Sequence, residues 1–211
     1  MWSFLKGILN ENRRLLVELA LFDFDGTITK GDTIFTFIQY YHGKKKYLFG
    51  CMVLFPVFFL YCLKILNHHK AKELTLSYFF RNKDRDEFIT KANDFTKEIL
   101  PKMILDSAME KIKWHLERDH KVVIVTGSLN ILVENWCREH GLDLISSRLD
   151  MSSQRLSGHL AGINCFSKEK VVKIREKYNL YDYSRIYAYG DSKDDKYMFG
   201  LAHESYFKLF S

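Results

Sequence analysis

The chain has 211 residues, 47% of them hydrophobic and 27% charged, with a formal net charge of +6. That length suits one domain with an insertion around a substantial core, and with only two prolines the composition excludes a disordered tail. Cys51, Cys62, Cys137 and Cys165 have no paired spacing and no histidine pattern beside them, which argues against a zinc site and for a reducing compartment. The modest basic balance comes without any nucleic-acid-binding motif.

In chain order, Met1 to Asn10 sets Trp2, Leu5, Ile8 and Leu9 at helical spacing. This predicts a short amphipathic helix rather than a secretory signal, packed on the core in preference to resting on a membrane surface. An apolar run from Leu15 to Phe22 predicts a buried strand that ends in Asp23-Phe24-Asp25-Gly26-Thr27. Carboxylates two residues apart on an extended backbone point to one side. Two acids that close favour a hard divalent cation, which relieves their repulsion, and Gly26 permits a tight exit and the close approach of a ligand.

From residue 32 to residue 102 the pattern turns helical, as expected of an inserted helical cap. Helices are predicted over Thr33 to Tyr41, Lys70 to Phe80 and Asp86 to Leu100, with Pro101 closing the last and His68-His69 forming a solvated helix end. Tyr47 to Leu63 holds seventeen uncharged residues, about 26 Å as a helix against the roughly 30 Å of a bilayer core. Pro56 would cost about 3 kcal/mol within a continuous helix or kink it. A single crossing would also separate Asp23 from the motifs that follow the segment. Two readings remain: paired cap helices broken near Pro56, or a monotopic hairpin dipping into one leaflet beside Lys44-Lys45-Lys46.

A helix from Asp106 to Arg118 leads into a second buried strand, Val122-Val123-Ile124-Val125-Thr126-Gly127-Ser128, followed by a helix over Ile131 to His140. Leu144 to Leu149 and a polar hairpin around Ser152-Ser153 come next, then a helix over Ser167 to Lys177 that carries Lys170 near its start. Ile186-Tyr187-Ala188-Tyr189-Gly190-Asp191 is a third strand ending in an acid, with Asp194 and Asp195 just beyond. Tyr206 to Phe210 reads as an edge strand. Together these place a nucleophilic carboxylate, a hydroxyl donor, a cation and a metal-binding acid at the ends of parallel strands. Those are the components of phosphoryl transfer.

With these four motifs in order, the chain resembles the haloacid dehalogenase superfamily of phosphatases. Within it, Asn164-Cys165-Phe166-Ser167-Lys168-Glu169-Lys170-Val171 and Tyr189-Gly190-Asp191-Ser192-Lys193-Asp194-Asp195 are most similar to the phosphoserine phosphatase-like subfamily IB. The resemblance implies an α/β fold: a Rossmann-like, three-layer core with a parallel sheet (residues 1–31 and 103–211) and an inserted α-helical cap (residues 32–102). It implies Asp23 as nucleophile, forming an aspartyl-phosphate, and Asp25 as general acid and then base. Thr126, Gly127 and Lys170 would hold the phosphoryl group. Lys168 is the rival lysine, and Lys170 is preferred because it precedes the apolar Val171. Mg²⁺ would sit on Asp23, the Asp25 carbonyl and Asp191, with Asp195 ligating through water or orienting the site.

The implied substrate is a phosphomonoester. Phosphoserine phosphatases carry a glutamate where this chain has Asp32, and Arg81 and Arg85 are candidates for a substrate carboxylate by location only. Phosphatidylglycerophosphate phosphatases of the same subfamily have similar apolar caps, so both a phosphoserine-like and a lipid-linked substrate stay open. Phosphotransfer on the same core and a non-enzymatic membrane-associated scaffold are the alternatives. The expected location is the cytoplasm, with peripheral contact through the cap at the inner membrane face as the second option.

Overall fold

Alternation along the first strand decides the layers of the molecule. In β1 (Glu18–Phe22), Leu19 and Leu21 turn to one face of the sheet while Ala20 and Phe22 turn to the other, and all four are fully buried. A strand buried on both faces belongs at the centre of a parallel sheet. The computed structural model, which describes residues 17–210, places it there. Leu15 and Leu16 of the expected strand, and the expected helix from Met1 to Asn10, lie outside the described residues.

β2 (Lys121–Leu129) and β4 (Arg185–Gly190) flank β1, with Leu21 in register with Val123 and Ala188. β3 (Asp143–Ser147) and β5 (Glu204–Phe207) complete a parallel five-stranded sheet in the order β3-β2-β1-β4-β5. The chain builds outward from β1 to β2 and β3, then crosses to β4 and β5 on the other side. A ligand site is expected at that reversal, beyond the carboxyl ends of the strands.

Between β1 and β2 the chain forms α1 (Thr33–His42), α2 (Lys44–Val53), α3 (Phe55–Cys62), α4 (His68–Phe80), α5 (Arg85–Glu98), α6 (Leu100–Met103) and α7 (Asp106–Leu116). After β2 come α8 (Asn130–Glu139), α9 (Lys168–Lys177) and the single turn α10 (Lys196–Phe199). Helices α7 and α8 bury Ala108, Ile112, Leu132 and Trp136 against one sheet face, and α9 and α10 bury Ile174 and Met198 against the other. The result is the expected α/β, three-layer Rossmann-like arrangement.

Side-chain caps fix where the inserted helices begin. Asp32 accepts from the Phe35 N–H at 2.9 Å, Asn67 from Lys70 N–H at 2.8 Å, and Asp84 from the N–H groups of Asp86 and Glu87. The apolar segment breaks near Pro56 into two helices, one of the two expected arrangements. The break in the apolar segment falls at Leu54, and Pro56 lies in the first turn of α3, where its missing N–H costs nothing. Pro101 likewise sits in the first turn of α6 rather than closing α5, which ends at Glu98.

Among the described residues no single helix is long and apolar enough to cross a membrane. Helices α2 and α3 approach that length only together, and they are bent by 54°.

The insertion has its own aromatic centre. Phe37 is fully buried, with ring centroids 5.7 Å from Phe80, 5.3 Å from Phe88 and 5.4 Å from Phe95. One side chain thereby joins α1, α4 and α5. Phe37→Ala is therefore expected to lower the unfolding free energy by about 3–5 kcal/mol in urea titration, because the surrounding rings cannot close the cavity. A loss under about 1 kcal/mol would mean the three helices are held together elsewhere.

Candidate active site

The carboxyl ends of β1, β2 and β4 meet the start of α9, and four charged side chains converge there. Lys170, 4% exposed, donates from Nζ to Asp23 Oδ1 and to Asp195 Oδ1, both at 2.6 Å. The other Asp195 oxygen accepts from Ser192 through its backbone N–H at 3.0 Å and its hydroxyl at 2.8 Å. Asp191 stands at the mouth of β4 and accepts a longer bond from the Thr27 hydroxyl at 3.4 Å.

Two glycines make this crowding possible. A Cβ on Gly26, which has φ of +78°, would strike the Asp191 carboxylate, and one on Gly190 would lie 2.8 Å from the Asp195 carboxyl.

Burial of Asp23 raises its pKa to about 7, against the attraction of Lys170 and with added repulsion from Asp195 and Asp25. Asp191 is raised as well, by burial and then by Asp195. Lys170 is raised too, which for an amine favours the charged form: against burial, its partners Asp23 and Asp195 hold it firmly protonated. The imbalance is plain, because one ammonium faces three acids. Asp23, Asp191 and Asp195 each offer an oxygen, and these oxygens lie within 4.8 Å of one another. An all-oxygen, net-negative cluster of that size suits a hard divalent cation such as Mg²⁺ and offers nothing to a thiophilic one.

Asp25 is held separately. Its Oδ1 accepts from the Thr33 backbone N–H at 2.8 Å and the Thr33 hydroxyl at 2.7 Å, and its Oδ2 accepts from the Ser128 hydroxyl at 2.5 Å. The Thr33 and Ser128 hydroxyls also touch each other. Thr33 opens α1 and Ser128 lies in β2, so the carboxylate is gripped by the insertion and the sheet together.

A cavity of about 360 Å³ opens above these groups, within the size range of small-molecule sites. Asp23, Asp25, Lys170, Asp191 and Asp195 form its polar floor, while Phe35, Phe58, Tyr61 and Leu76 from the insertion form an apolar roof. Asp32 caps α1 and turns its accessible surface into the cavity. The enclosing walls and neighbouring Asp25 raise its pKa to about 6.

The remaining expected residues divide. Gly127 lines the cavity, whereas Thr126 beside it is fully buried, its hydroxyl accepting from Ser128 N–H at 2.9 Å. Lys168 is exposed and lies 5.5 Å from the Tyr197 ring, outside the cavity, so Lys170 is the lysine at the acids. Neither Arg81 nor Arg85 reaches the cavity: Arg81 is exposed beyond α4, and Arg85 pairs with Asp86 at 3.2 Å.

The cation that the insertion does supply is Lys72, which the sequence reading missed. Its Nζ donates to the Gly127 carbonyl and, at 3.1 Å, to Asn164 Oδ1. Burial lowers its pKa to about 8, against the pull of Asp25 and Asp32. His68, expected as a solvated helix end, instead stacks on Phe166 at 3.6 Å and pairs with Asn164 at 2.7 Å. Burial, then Lys72 and His69, lower its pKa to about 4. The available signal was spacing: His68, Lys72, Thr75 and Leu76 share one face of α4, and a lysine on an otherwise buried stripe has something to bind. Ser128 gave no such signal.

Comparison with known proteins bears on the same residues. The haloacid dehalogenase-like hydrolase family matches residues 20–200. Protein CicA of Caulobacter vibrioides is 31% identical over 194 residues, covering 91% of this chain and 86% of CicA. Among solved structures, a protein of unknown function from Bordetella pertussis Tohama I superposes with a TM-score of 0.77 at 20% identity, over 90% of this chain and 89% of that one. A phosphoserine phosphatase, solved as a phospho-aspartyl intermediate analogue, superposes with a TM-score of 0.63 at 24% identity, over 90% and 85%. These likenesses show a shared fold.

The charge imbalance makes a measurement possible without any substrate. Mg²⁺ should raise the melting temperature, since a ligand at about 100 times its Kd adds about 2.7 kcal/mol to the folded state. In Asp191→Ala the rise should shrink to that of a non-binding control. An unchanged rise in that variant would move the cation elsewhere.

Proposed function

From the premise that this chain belongs to the haloacid dehalogenase-like hydrolase family, we propose that it is a phosphomonoester phosphatase working through an aspartyl-phosphate on Asp23. The observation that carries the reading is the buried Lys170 shared between Asp23 and Asp195, with Asp191 and Asp25 opening into the same cavity. A carboxylate fixed on one oxygen by a lysine keeps its other oxygen free to attack.

The free oxygen of Asp23 forms a bond to phosphorus as the bond to the leaving oxygen breaks. Asp25, carrying a proton, gives it to that leaving oxygen. Asp25 then takes a proton from water, whose oxygen attacks phosphorus, releasing inorganic phosphate and restoring Asp23. The Thr33 and Ser128 hydroxyls keep Asp25 on the leaving-group side through both transfers. Lys170 and Gly127, which line the cavity, make up the protein's hold on the phosphoryl oxygens, and Thr126 supports the turn beneath them through its bond from Ser128 N–H. Asp23, Asp191 and the Asp25 carbonyl would hold Mg²⁺, with Asp195 ligating through water or orienting the site, and the ion would supply compensation for the charge on the phosphoryl oxygens. The helices between β1 and β2 serve as a cap over the reaction.

The apolar roof supports a substrate with a greasy portion next to its phosphate. Each methylene buried against Phe35, Phe58 and Leu76 contributes about 0.8 kcal/mol, and Lys72 offers a second anchor for a polar or anionic group. A phosphoserine-like substrate uses Lys72 and Asp32 but leaves the roof unfilled, so the lipid-linked phosphomonoester fits the cavity better.

The chain should therefore release phosphate from phosphomonoesters in Mg²⁺, and both EDTA and Asp23→Asn should abolish release while the fold persists. Release by Asp23→Asn at the wild-type rate would end the proposal. Ser128→Ala should slow an alkyl phosphate about tenfold more than p-nitrophenyl phosphate, whose leaving group needs no proton. Equal slowing of both would detach Ser128 from Asp25. Phe58→Ser should cost a short-chain lipid phosphate about tenfold in kcat/KM and spare glycerol phosphate, as expected for the loss of one apolar wall. A loss shared by both substrates would make Phe58 a structural side chain only.

A further inference from the structure

Helix α3 has two faces with different surroundings. Phe58 and Tyr61 line the cavity, and the Phe58 ring lies 6.1 Å from that of Phe35. On the opposite side Phe55 and Phe59 stack on each other at 6.1 Å and cover nothing among the described residues, with Phe55 65% exposed. The bare surface continues onto α2 through Phe49 and Met52 and past α3 to Leu63 and Ile65, which is 71% exposed. A contiguous apolar surface of this kind marks an interaction site.

Its charge is equally one-sided. From Thr33 to Lys72 the sequence contains no aspartate or glutamate, and the exposed Lys44, Lys45 and Lys46 border the patch at one end with Lys64 at the other.

We propose that this outer face of α2 and α3 docks in the plane of an anionic bilayer leaflet. The fold excludes crossing: β1 before the segment and β2 after it pair in one sheet, so the chain enters and leaves on the same side. The two helices, ten and eight residues long, are also bent by 54°. Short apolar helices bordered by lysines lie in the interface, their apolar side among the acyl chains and their cations at the phosphates. A second copy of the chain is the weaker occupant. Patch-to-patch pairing would bring lysine clusters together with no acid in the segment to meet them. Docked in this way, α3 lies between the leaflet and the catalytic cavity. That consequence rests on the phosphatase reading, whereas the docking itself does not.

The test is flotation of the full chain with vesicles of phosphatidylcholine alone or with about 30% phosphatidylserine. The expected result is binding to the anionic vesicles that weakens in high salt and falls about tenfold in Met52→Ser/Phe55→Ser/Phe59→Ser, whose melting curve should match wild type. Lys44→Gln/Lys45→Gln/Lys46→Gln should lose the preference for anionic lipid. None of these side chains lines the cavity, so release of phosphate from p-nitrophenyl phosphate in solution should be unchanged. Equal flotation of wild type and the serine variant would overturn the docking. So would a lack of flotation by a wild type whose concentration-dependent dimer is lost in the serine variant. Flotation as expected from a chain that releases no phosphate would leave the docking standing and remove the phosphatase reading.

Discussion

Asp23, Asp191 and Asp195 crowd around one ammonium group, and the rest of the molecule depends on that arrangement. Their repulsion, worsened by burial, opposes folding unless cations answer it. Lys170 answers part, with two bonds of 2.6 Å. The remaining deficit is what gives the cluster its use, because a group that brings or needs positive charge is drawn to a place already shaped for it. The parallel sheet supplies the shape: β1 and β4 run side by side and end together, and the glycines at positions 26 and 190 let the acids approach without side chains between them.

The helices inserted after β1 take part in the chemistry of the site as well as covering it. Thr33 holds Asp25 from the first turn of α1, and Lys72 reaches from α4 to the carbonyl of Gly127. Any outward swing of α4 breaks the Lys72 contacts, so the seating of the insertion and the polarity of the cavity are coupled. Two opposed shifts sit close together here. Lys72 loses part of its affinity for a proton through burial, and Asp32 gains some, which leaves a weakly balanced pair ready to be reset by an incoming charged group.

The parallel core was legible because its signals are local. A buried central strand reads as an apolar run, and Asp23, Asp25, Lys170 and Asp191 each follow or open such a run at a fixed offset. Pro101 was misjudged because proline interrupts a helix interior but starts a helix equally well, and only the neighbouring turn decides which. For Lys72 and His68 the sequence offered only their shared face of α4, because the insertion folds back over the sheet and what they touch, Gly127, Asn164 and Phe166, lies far along the chain. Ser128 escaped for a related reason: a serine in a strand is bland until the carboxylate opposite is known. The uncharged stretch from Tyr47 to Leu63 carried its composition openly, but which side faced inward depended on the bend at Leu54.

The central claim is that Asp23 takes the phosphoryl group. Turnover with ³²P-labelled phosphomonoester, quenched in acid within one catalytic cycle and followed by peptide mapping, tests it most directly. The account predicts acid-stable label on the peptide containing Asp23, approaching one per chain in Asp25→Asn when the substrate is labelled p-nitrophenyl phosphate, whose leaving group needs no proton. Phosphate release with no labelled protein, or label on a different residue, would contradict it.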